Sequence, residues 1–161
     1  MLKPGEVAPE FILPDENGEE VSLTQLLQTG PIILYFYPAD FTPGCTREAC
    51  ALRDIHADIL SVGLRVVGVS PQDQDSHARF KEEHNLPFTL ICDPDKIAIK
   101  MYAVDGPLGI GVRRVTYLIS QGQKIQDALC ADLKIDKHKA FIEKAIVLRE
   151  TAGMKISEPA Q

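Results

Sequence analysis

The segment IILYFY, residues 32–37, decides the fold that the sequence predicts. It is a continuous apolar run of aliphatic and aromatic side chains, which is typical of a strand buried on both faces, as in a parallel sheet. A second run of this kind, LRVVGVS at residues 64–70, follows it after a helical pattern. Strands that alternate with helices predict a single α/β domain built around one sheet.

The helical pattern between these strands begins with Thr42 as the N-cap and Pro43 at the first helical position. Apolar residues then recur at intervals of three and four, which predicts one helix that continues to about residue 60. These residues are Ala49, Leu52, Ile55 and Ile59. Gly63 is the expected end of the helical segment.

The other predicted elements complete a mixed sheet flanked by helices, with an N-terminal β-hairpin extension. They are a hairpin turn at 15–18, helices at 23–27, 73–84, 96–102 and 136–150, and strands at 88–91, 115–120 and 125–129. A turn at Gly122 makes the last two strands antiparallel, so the sheet is expected to be mixed. Residues 1–150 are predicted to form one domain, and 151–161 a polar, loosely held C-terminal tail.

Length and charge exclude several classes of protein. A chain of 161 residues can bury a core without disulfide staples. A net charge of −6 argues against nucleic acid as a partner. No apolar run approaches the ~20 residues that span a bilayer, and the first residues lack the apolar stretch of a signal peptide. We therefore expect a cytoplasmic protein without a membrane partner, whose four cysteines are reduced, catalytic or inert.

Two kinds of binding site are not expected from the sequence. The four histidines are scattered, and none stands at metal-ligand spacing from a cysteine, so no metal is predicted. The stretch GPLGIG at 106–111 lacks the Lys-Ser/Thr ending of a phosphate-binding loop. We interpret it as a flexible connection, and we expect no cofactor.

The chemistry is expected in the segment PADFTPGCTREAC, residues 38–50. Cys45 lies in the first turn of the predicted helix, where unpaired N–H groups and the helix dipole favour a thiolate. Gly44 is expected to leave room beside the sulfur for a small reactant. Thr42 stands three residues before the cysteine, so its hydroxyl can face the same pocket, and Pro38 ends the strand and stiffens the loop.

The spacing of Pro38, Thr42 and Cys45 resembles the signature of the peroxiredoxins, and the wider sequence is similar to the bacterioferritin-comigratory, or Q-type, subfamily. The match extends from about residue 5 to residue 150 in the expected order. It is carried by APEF at 8–11, TPGCT at 42–46 with Cys50, Arg53-Asp54, VGVS at 67–70, Ser76-His77, LPF at 86–88, Asp93-Pro94 and RVTYLI at 114–119. The segment 105–111 is shorter than is usual in this subfamily, and Gln72 replaces a common acidic residue.

The resemblance implies a thioredoxin-like fold and thiol-dependent reduction of hydroperoxides without metal, haem or flavin. It makes Cys45 the peroxidatic residue, with Thr42 and Arg114 binding the peroxide oxygens and Pro38 shielding the sulfur. The neighbouring Arg113 points to the opposite face of a strand, and the alignment favours Arg114.

Glu48 lies three residues after Cys45, hence on the same side of the helix. We hypothesise that Glu48 orients Arg114 through a charge-assisted hydrogen bond.

The resemblance assigns Cys50 as the thiol that resolves a Cys45 sulfenic acid into a disulfide. Residues five apart on an intact helix have Cα atoms about 8.6 Å apart, whereas a disulfide needs roughly 4.4–6.8 Å. The helix is therefore predicted to unwind locally around residues 45–50, which exposes the disulfide to a dithiol reductant such as thioredoxin. Cys92 and Cys130 are interpreted as inert thiols, although either could act as an alternative resolving thiol.

Two other functions use the same residues. A peroxide sensor or redox relay would oxidise Cys45 without sustained turnover. A thiol–disulfide oxidoreductase is a weaker alternative, because the chain has no Cys-x-x-Cys motif. The resemblance also implies a monomer.

Overall fold

A five-stranded sheet forms the centre of the structure, a computed structural model that describes residues 1–157 and the side chains of residues 1–153. Its strands are β3 (Ile32–Phe36), β4 (Arg65–Ser70), β5 (Thr89–Cys92), β6 (Val115–Ile119) and β7 (Ile125–Cys130). Their spatial order is β5-β4-β3-β6-β7. The first three are parallel, whereas β6 and β7 add antiparallel pairs, so the predicted mixed sheet is confirmed.

An antiparallel hairpin, β1 (Ile12–Pro14) and β2 (Glu20–Ser22), precedes the sheet and confirms the predicted N-terminal extension. The Asp15 carboxylate stabilises its turn by accepting from the N–H groups of Asn17 at 2.8 Å and Glu19 at 3.0 Å.

Helices cover both faces of the sheet. They are α1 (Leu23–Leu27), α2 (Pro43–Asp54), α3 (His56–Ser61), α4 (Gln74–His84), α5 (Ile97–Met101) and α6 (Ile135–Ser157). Alternate residues of β3 point to opposite faces, so Leu34 enters the core shared with α1 and α5, and Tyr35 enters the core shared with α2, α3, α4 and α6. Every residue of β3 is buried, as the apolar run predicts.

The prediction of a single helix that continues from residue 42 to about residue 60 is wrong. It is broken at Ile55, whose ψ of 10° lies outside the α-helical region, and α3 begins at the next residue. Leu52, before the break, and Ile59, after it, are both buried. Because the apolar spacing continues across Ile55, the pattern did not indicate the interruption.

The closing helix α6 extends to Ser157 and so continues beyond the expected end near residue 150. It covers the first part of the predicted tail, and residues 158–161 lie outside the described residues. Although α6 is long, no helix in the described part of the chain is apolar enough over a sufficient length to cross a membrane.

The connection at residues 106–111 is held by hydrogen bonds rather than left loose, contrary to the expectation of a flexible segment. It contains a 3₁₀ turn, Pro107–Gly109. The ammonium group of Lys96 donates to Asp105 Oδ1 at 2.9 Å and to the carbonyls of Gly109 and Gly111 at 3.0 Å each. This loop lies beside the site described next.

Candidate active site

The N-terminus of α2 places Cys45 at the carboxyl end of the central strand. Thr42 is the N-cap with extended backbone, Pro43 begins the helix, and Cys45 therefore lies in its first turn as predicted. The cysteine is only 2% exposed. Its sulfur lies at the positive end of a twelve-residue helix, which favours negative charge.

Arg114 joins the sulfur to a buried carboxylate. Its Nη2 donates to Cys45 Sγ at 3.3 Å, and its Nη1 donates to Glu48 Oε2 at 2.8 Å. All three residues are buried: Arg114 is 6% exposed, Cys45 is 2% exposed and Glu48 is 1% exposed. The charge-assisted contact hypothesised between Glu48 and Arg114 is thus present. A planar guanidinium is suited to this arrangement, because two of its nitrogens donate in fixed directions at once.

Burial disfavours the charged form of Glu48 and so weakens its ion pair with Arg114. Burial raises the pKa of Glu48 to about 7, although the charge and hydrogen bond of Arg114 lower it. Burial also lowers the pKa of Arg114, but the Glu48 and Cys45 side chains together raise it above its usual value. Arg114 therefore stays cationic beside the sulfur, and Glu48 is poised to change charge near neutral pH.

Two buried oxygens next to this ion pair have no hydrogen-bond partner within the described chain, namely Glu48 Oε1 and the Tyr35 hydroxyl. Burial raises the pKa of Tyr35 well above its usual value, and the Glu48 charge raises it further. The phenol therefore stays neutral.

Asp132 fixes the backbone that carries Arg114. Its Oδ1 accepts from the Arg114 N–H at 2.9 Å, and its Oδ2 accepts from Arg113 Nη2 at 2.9 Å. The Arg113 side chain is 50% exposed and pairs with Asp132, whereas the Arg114 guanidinium contacts the sulfur. The alignment that favoured Arg114 over Arg113 thus agrees with the contacts.

Gly44 serves a different purpose from the one predicted. A Cβ at this position would lie 3.2 Å from Arg114 Nη2 and 3.1 Å from Ile135 Cδ1. The space beside Gly44 is therefore filled by the guanidinium and an apolar side chain, not kept open for a reactant. Glycine is needed because the arginine approaches the helix so closely.

Thr42 and Pro38 both lie in the loop between β3 and α2. The Thr42 hydroxyl is exposed and donates to the Ala39 carbonyl at 3.0 Å, and it makes no capping bond to the helix. Pro38 lines an open pocket together with Arg114 and the tied loop, including Val112. In this conformation the threonine hydroxyl is directed at the loop backbone rather than toward the sulfur.

The sequence reasoning missed Asp40, which anchors the loop before α2. Its buried carboxylate accepts from the Tyr37 hydroxyl at 2.6 Å and the Ser76 hydroxyl at 2.7 Å, and pairs with His77 Nδ1 at 2.6 Å. The other ring nitrogen of His77 contacts the Ile91 carbonyl at 2.9 Å. Ser76 and His77 belong to the family resemblance, but nothing in their spacing indicated an aspartate 36 residues earlier as their partner.

The other cysteines occupy different environments, and all four are free thiols. Burial raises the pKa of Cys92 to about 12, with the charge of Glu16 adding to the effect, and its thiol contacts the Asp15 carbonyl at 3.5 Å. Burial also raises the pKa of Cys130. Both features support the interpretation of these two as inert thiols.

Cys50, also on α2, is half-buried, and its Sγ lies 3.9 Å from Nδ1 of His84. Because one uninterrupted helix carries Cys45 and Cys50, the two cysteines cannot form a disulfide in this conformation.

Comparisons with known proteins agree with this arrangement. A model of the AhpC/TSA family matches residues 4–128. The chain is 39% identical to a putative peroxiredoxin bcp of Coxiella burnetii over 147 residues, which cover 88% of this chain and 96% of that protein. It is 37% identical to peroxiredoxin Bcp of Escherichia coli K12 over 143 residues, 85% and 90% of the two chains. The crystal structure of peroxidoxin BcpB from Mycobacterium tuberculosis superposes with a TM-score of 0.85 at 32% identity, covering 94% of this chain and 98% of that one.

Proposed function

The chain belongs to the AhpC/TSA family, among the Bcp and Q-type peroxiredoxins, and from this we propose that it reduces hydrogen peroxide and small organic hydroperoxides with electrons from a dithiol protein. The observation that carries the proposal is the guanidinium of Arg114, which contacts Cys45 Sγ and Glu48 together. A cation held beside a buried sulfur at a helix N-terminus is suited to a nucleophilic thiolate.

In the first step the Cys45 thiolate attacks one oxygen of the peroxide and the O–O bond breaks. The sulfur becomes a sulfenic acid, and the second oxygen leaves, with a proton, as water or an alcohol. A thiol of ordinary pKa ~8.5 is about 3% ionised at pH 7, so full ionisation gains at most about 30-fold. Most of the acceleration must therefore come from donors aimed at the breaking bond.

Those donors are Arg114, the N–H of Cys45 and the Thr42 hydroxyl. Arg114 already lies against the sulfur. The Thr42 hydroxyl would exchange its bond with the Ala39 carbonyl for one with the peroxide through a change of side-chain rotamer. Pro38 lines the open pocket beside Arg114, and its proposed role is to shield the sulfur from water.

In the second step Cys50 resolves the sulfenic acid as a Cys45–Cys50 disulfide. Part of α2 must unwind to bring the two sulfurs together, because the intact helix keeps their Cα atoms about 8.6 Å apart. The unwound segment exposes the disulfide to thioredoxin or a similar dithiol, which returns both thiols. Four free thiols suit a reducing compartment, and we place the protein in the cytoplasm as a monomer.

The test is sustained peroxide consumption in the presence of thioredoxin, its reductase and NADPH. We expect many turnovers for the unaltered protein and none for Cys45→Ser. Cys130→Ser is the matched control and retains activity, because Cys130 is half-buried on the outermost strand β7. A single turnover followed by arrest would identify a peroxide sensor or relay instead.

A further inference from the structure

The side chains of Cys50, on α2, and His84, on α4, are in contact. Cys50 Sγ lies 3.9 Å from His84 Nδ1, within the range of a hydrogen bond to sulfur. His84 is the last residue of α4, and its ring packs edge-on against Phe80 with centroids 5.2 Å apart. The histidine is therefore held against the sulfur by the core rather than free in solvent.

The backbone supports the same contact from the other side. Arg53 Nη1 donates to the His84 carbonyl at 2.8 Å, which ties the end of α2 to the end of α4. Arg53 also pairs with Asp54 at 3.0 Å, and α4 carries Lys81, Glu82 and Glu83 in the turn that ends at His84. Asn85, in the left-handed conformation with φ of 51°, ends α4 directly after the histidine. Two helices thus bring one thiol and one imidazole nitrogen together.

We propose that His84 is the general base that takes the proton from Cys50 as this thiol resolves the Cys45 sulfenic acid. This inference rests on the proposed function, since it requires Cys50 to be the resolving thiol. The Cys50 S–H proton passes to His84 Nδ1 while the sulfur forms the S–S bond. The S–O bond of the sulfenic acid breaks, and the leaving hydroxide takes a proton to become water.

The inference requires the turn that carries Cys45, rather than Cys50, to move. The second half of the helix is held by buried Ala49 and Leu52 and by the Arg53 bond to α4. The first turn has no side-chain cap, and oxidation adds an oxygen to a sulfur that is only 2% exposed. Cys50 therefore stays beside His84 while the turn that carries Cys45 unwinds toward it, so the base remains in contact during the attack.

The experiment measures the rate at which the sulfenic acid becomes a disulfide, after one equivalent of hydrogen peroxide, by rapid quenching with a thiol-blocking reagent and mass spectrometry. The variant is His84→Gln. His56→Gln is the matched control, because His56 lies nearby on α3 and packs on Phe88. A thiol of ordinary pKa ~8.5 is about 3% ionised at pH 7 and mostly ionised at pH 9. We therefore expect His84→Gln to slow the step by about 10- to 30-fold at pH 7 and by less than about 2-fold at pH 9.

A second variant separates a base from a structural support. His84→Ala should recover much of its rate at pH 7 when free imidazole is added, and the oxidation of Cys45 itself should keep its rate in all three variants. Equal slowing at every pH without imidazole rescue, an unchanged rate, or a faster rate from a loosened helix would each overturn the role of His84. If the unaltered protein formed no Cys45–Cys50 disulfide, the resolving step of the proposed function would fail first, and the inference with it.

Discussion

Replacing Arg114 with lysine tests the central geometry of the site while keeping its positive charge. The guanidinium donates to Cys45 Sγ at 3.3 Å and to Glu48 Oε2 at 2.8 Å through two different nitrogens. A lysine has one nitrogen on a flexible chain and cannot hold both contacts in the same geometry. Loss of one charge-assisted hydrogen bond costs about 1.5–3 kcal/mol, so we expect the rate constant for peroxide to fall about 10- to 150-fold.

The assay is competition for hydrogen peroxide between the reduced protein and a haem peroxidase of known rate. Competition is suitable because the chain has no tryptophan to report oxidation by fluorescence. Arg113→Lys is the matched control, since Arg113 is half exposed and pairs with Asp132 at 2.9 Å. A surface pair contributes about 0–1 kcal/mol, and the control should stay within about 2-fold of the unaltered protein. A loss of less than about 3-fold in Arg114→Lys, or an equal loss in Arg113→Lys, would show that the two guanidinium contacts do not set the rate.

Three further predictions concern the surroundings of the sulfur. Because burial raises the pKa of Glu48 from 4.5 to about 7, the folded protein holds this proton more tightly than the unfolded chain, and stability is lost as pH rises from about 4.5 through 7. In urea unfolding, the free energy of unfolding should fall by an amount that approaches 3 kcal/mol by pH 7 (roughly 1.4 kcal/mol per unit of pKa). This fall should be absent in Glu48→Gln. Parallel pH curves for the two proteins would contradict the prediction. Gly44→Ala places a Cβ 3.2 Å from Arg114 Nη2 and should displace the guanidinium. The rate constant for peroxide should therefore fall about 10-fold, with little change in the urea midpoint. An unaltered rate would show that the guanidinium is not positioned there. Asp40→Asn weakens the contact with His77 and should lower the free energy of unfolding by about 1–3 kcal/mol. An unshifted urea midpoint would contradict this prediction.

The central sheet was predictable because its strands are apolar on both faces. Residues 32–37 have no polar side to place in water, so the run indicated a strand covered by helices on both sides. The break at Ile55 was not predictable in the same way. The apolar residues before and after it are both buried, and a periodic pattern cannot show a break in the helix that preserves burial.

Parts of the candidate site followed from local geometry. The side of α2 shared by Cys45 and Glu48 depends only on helix periodicity, and the family resemblance selected Arg114 over Arg113. Arg114 contacts both residues on that side of the helix. Their roles in catalysis remain predictions.

Other parts depend on choices that sequence patterns do not encode. The Thr42 hydroxyl could bond the helix N-terminus or the loop carbonyl, and it takes the carbonyl of Ala39. The space at Gly44 was interpreted as room for a reactant, but it is occupied by a guanidinium that comes from a distant strand end. Likewise, two of the partners of Asp40, Ser76 and His77, lie on α4, and only the tertiary fold brings them to it.

The disulfide formed by one equivalent of peroxide tests the proposed chemistry of Cys45 and Cys50 directly. The reduced protein is treated with hydrogen peroxide, blocked with a thiol reagent, digested and mapped by mass spectrometry. We predict a Cys45–Cys50 bond, with Cys92 and Cys130 recovered as blocked thiols. A bond from Cys45 to Cys92 or Cys130, or a Cys45 that stays a sulfenic acid, would contradict the proposed resolving step, and an unoxidised Cys45 would contradict the peroxidase itself.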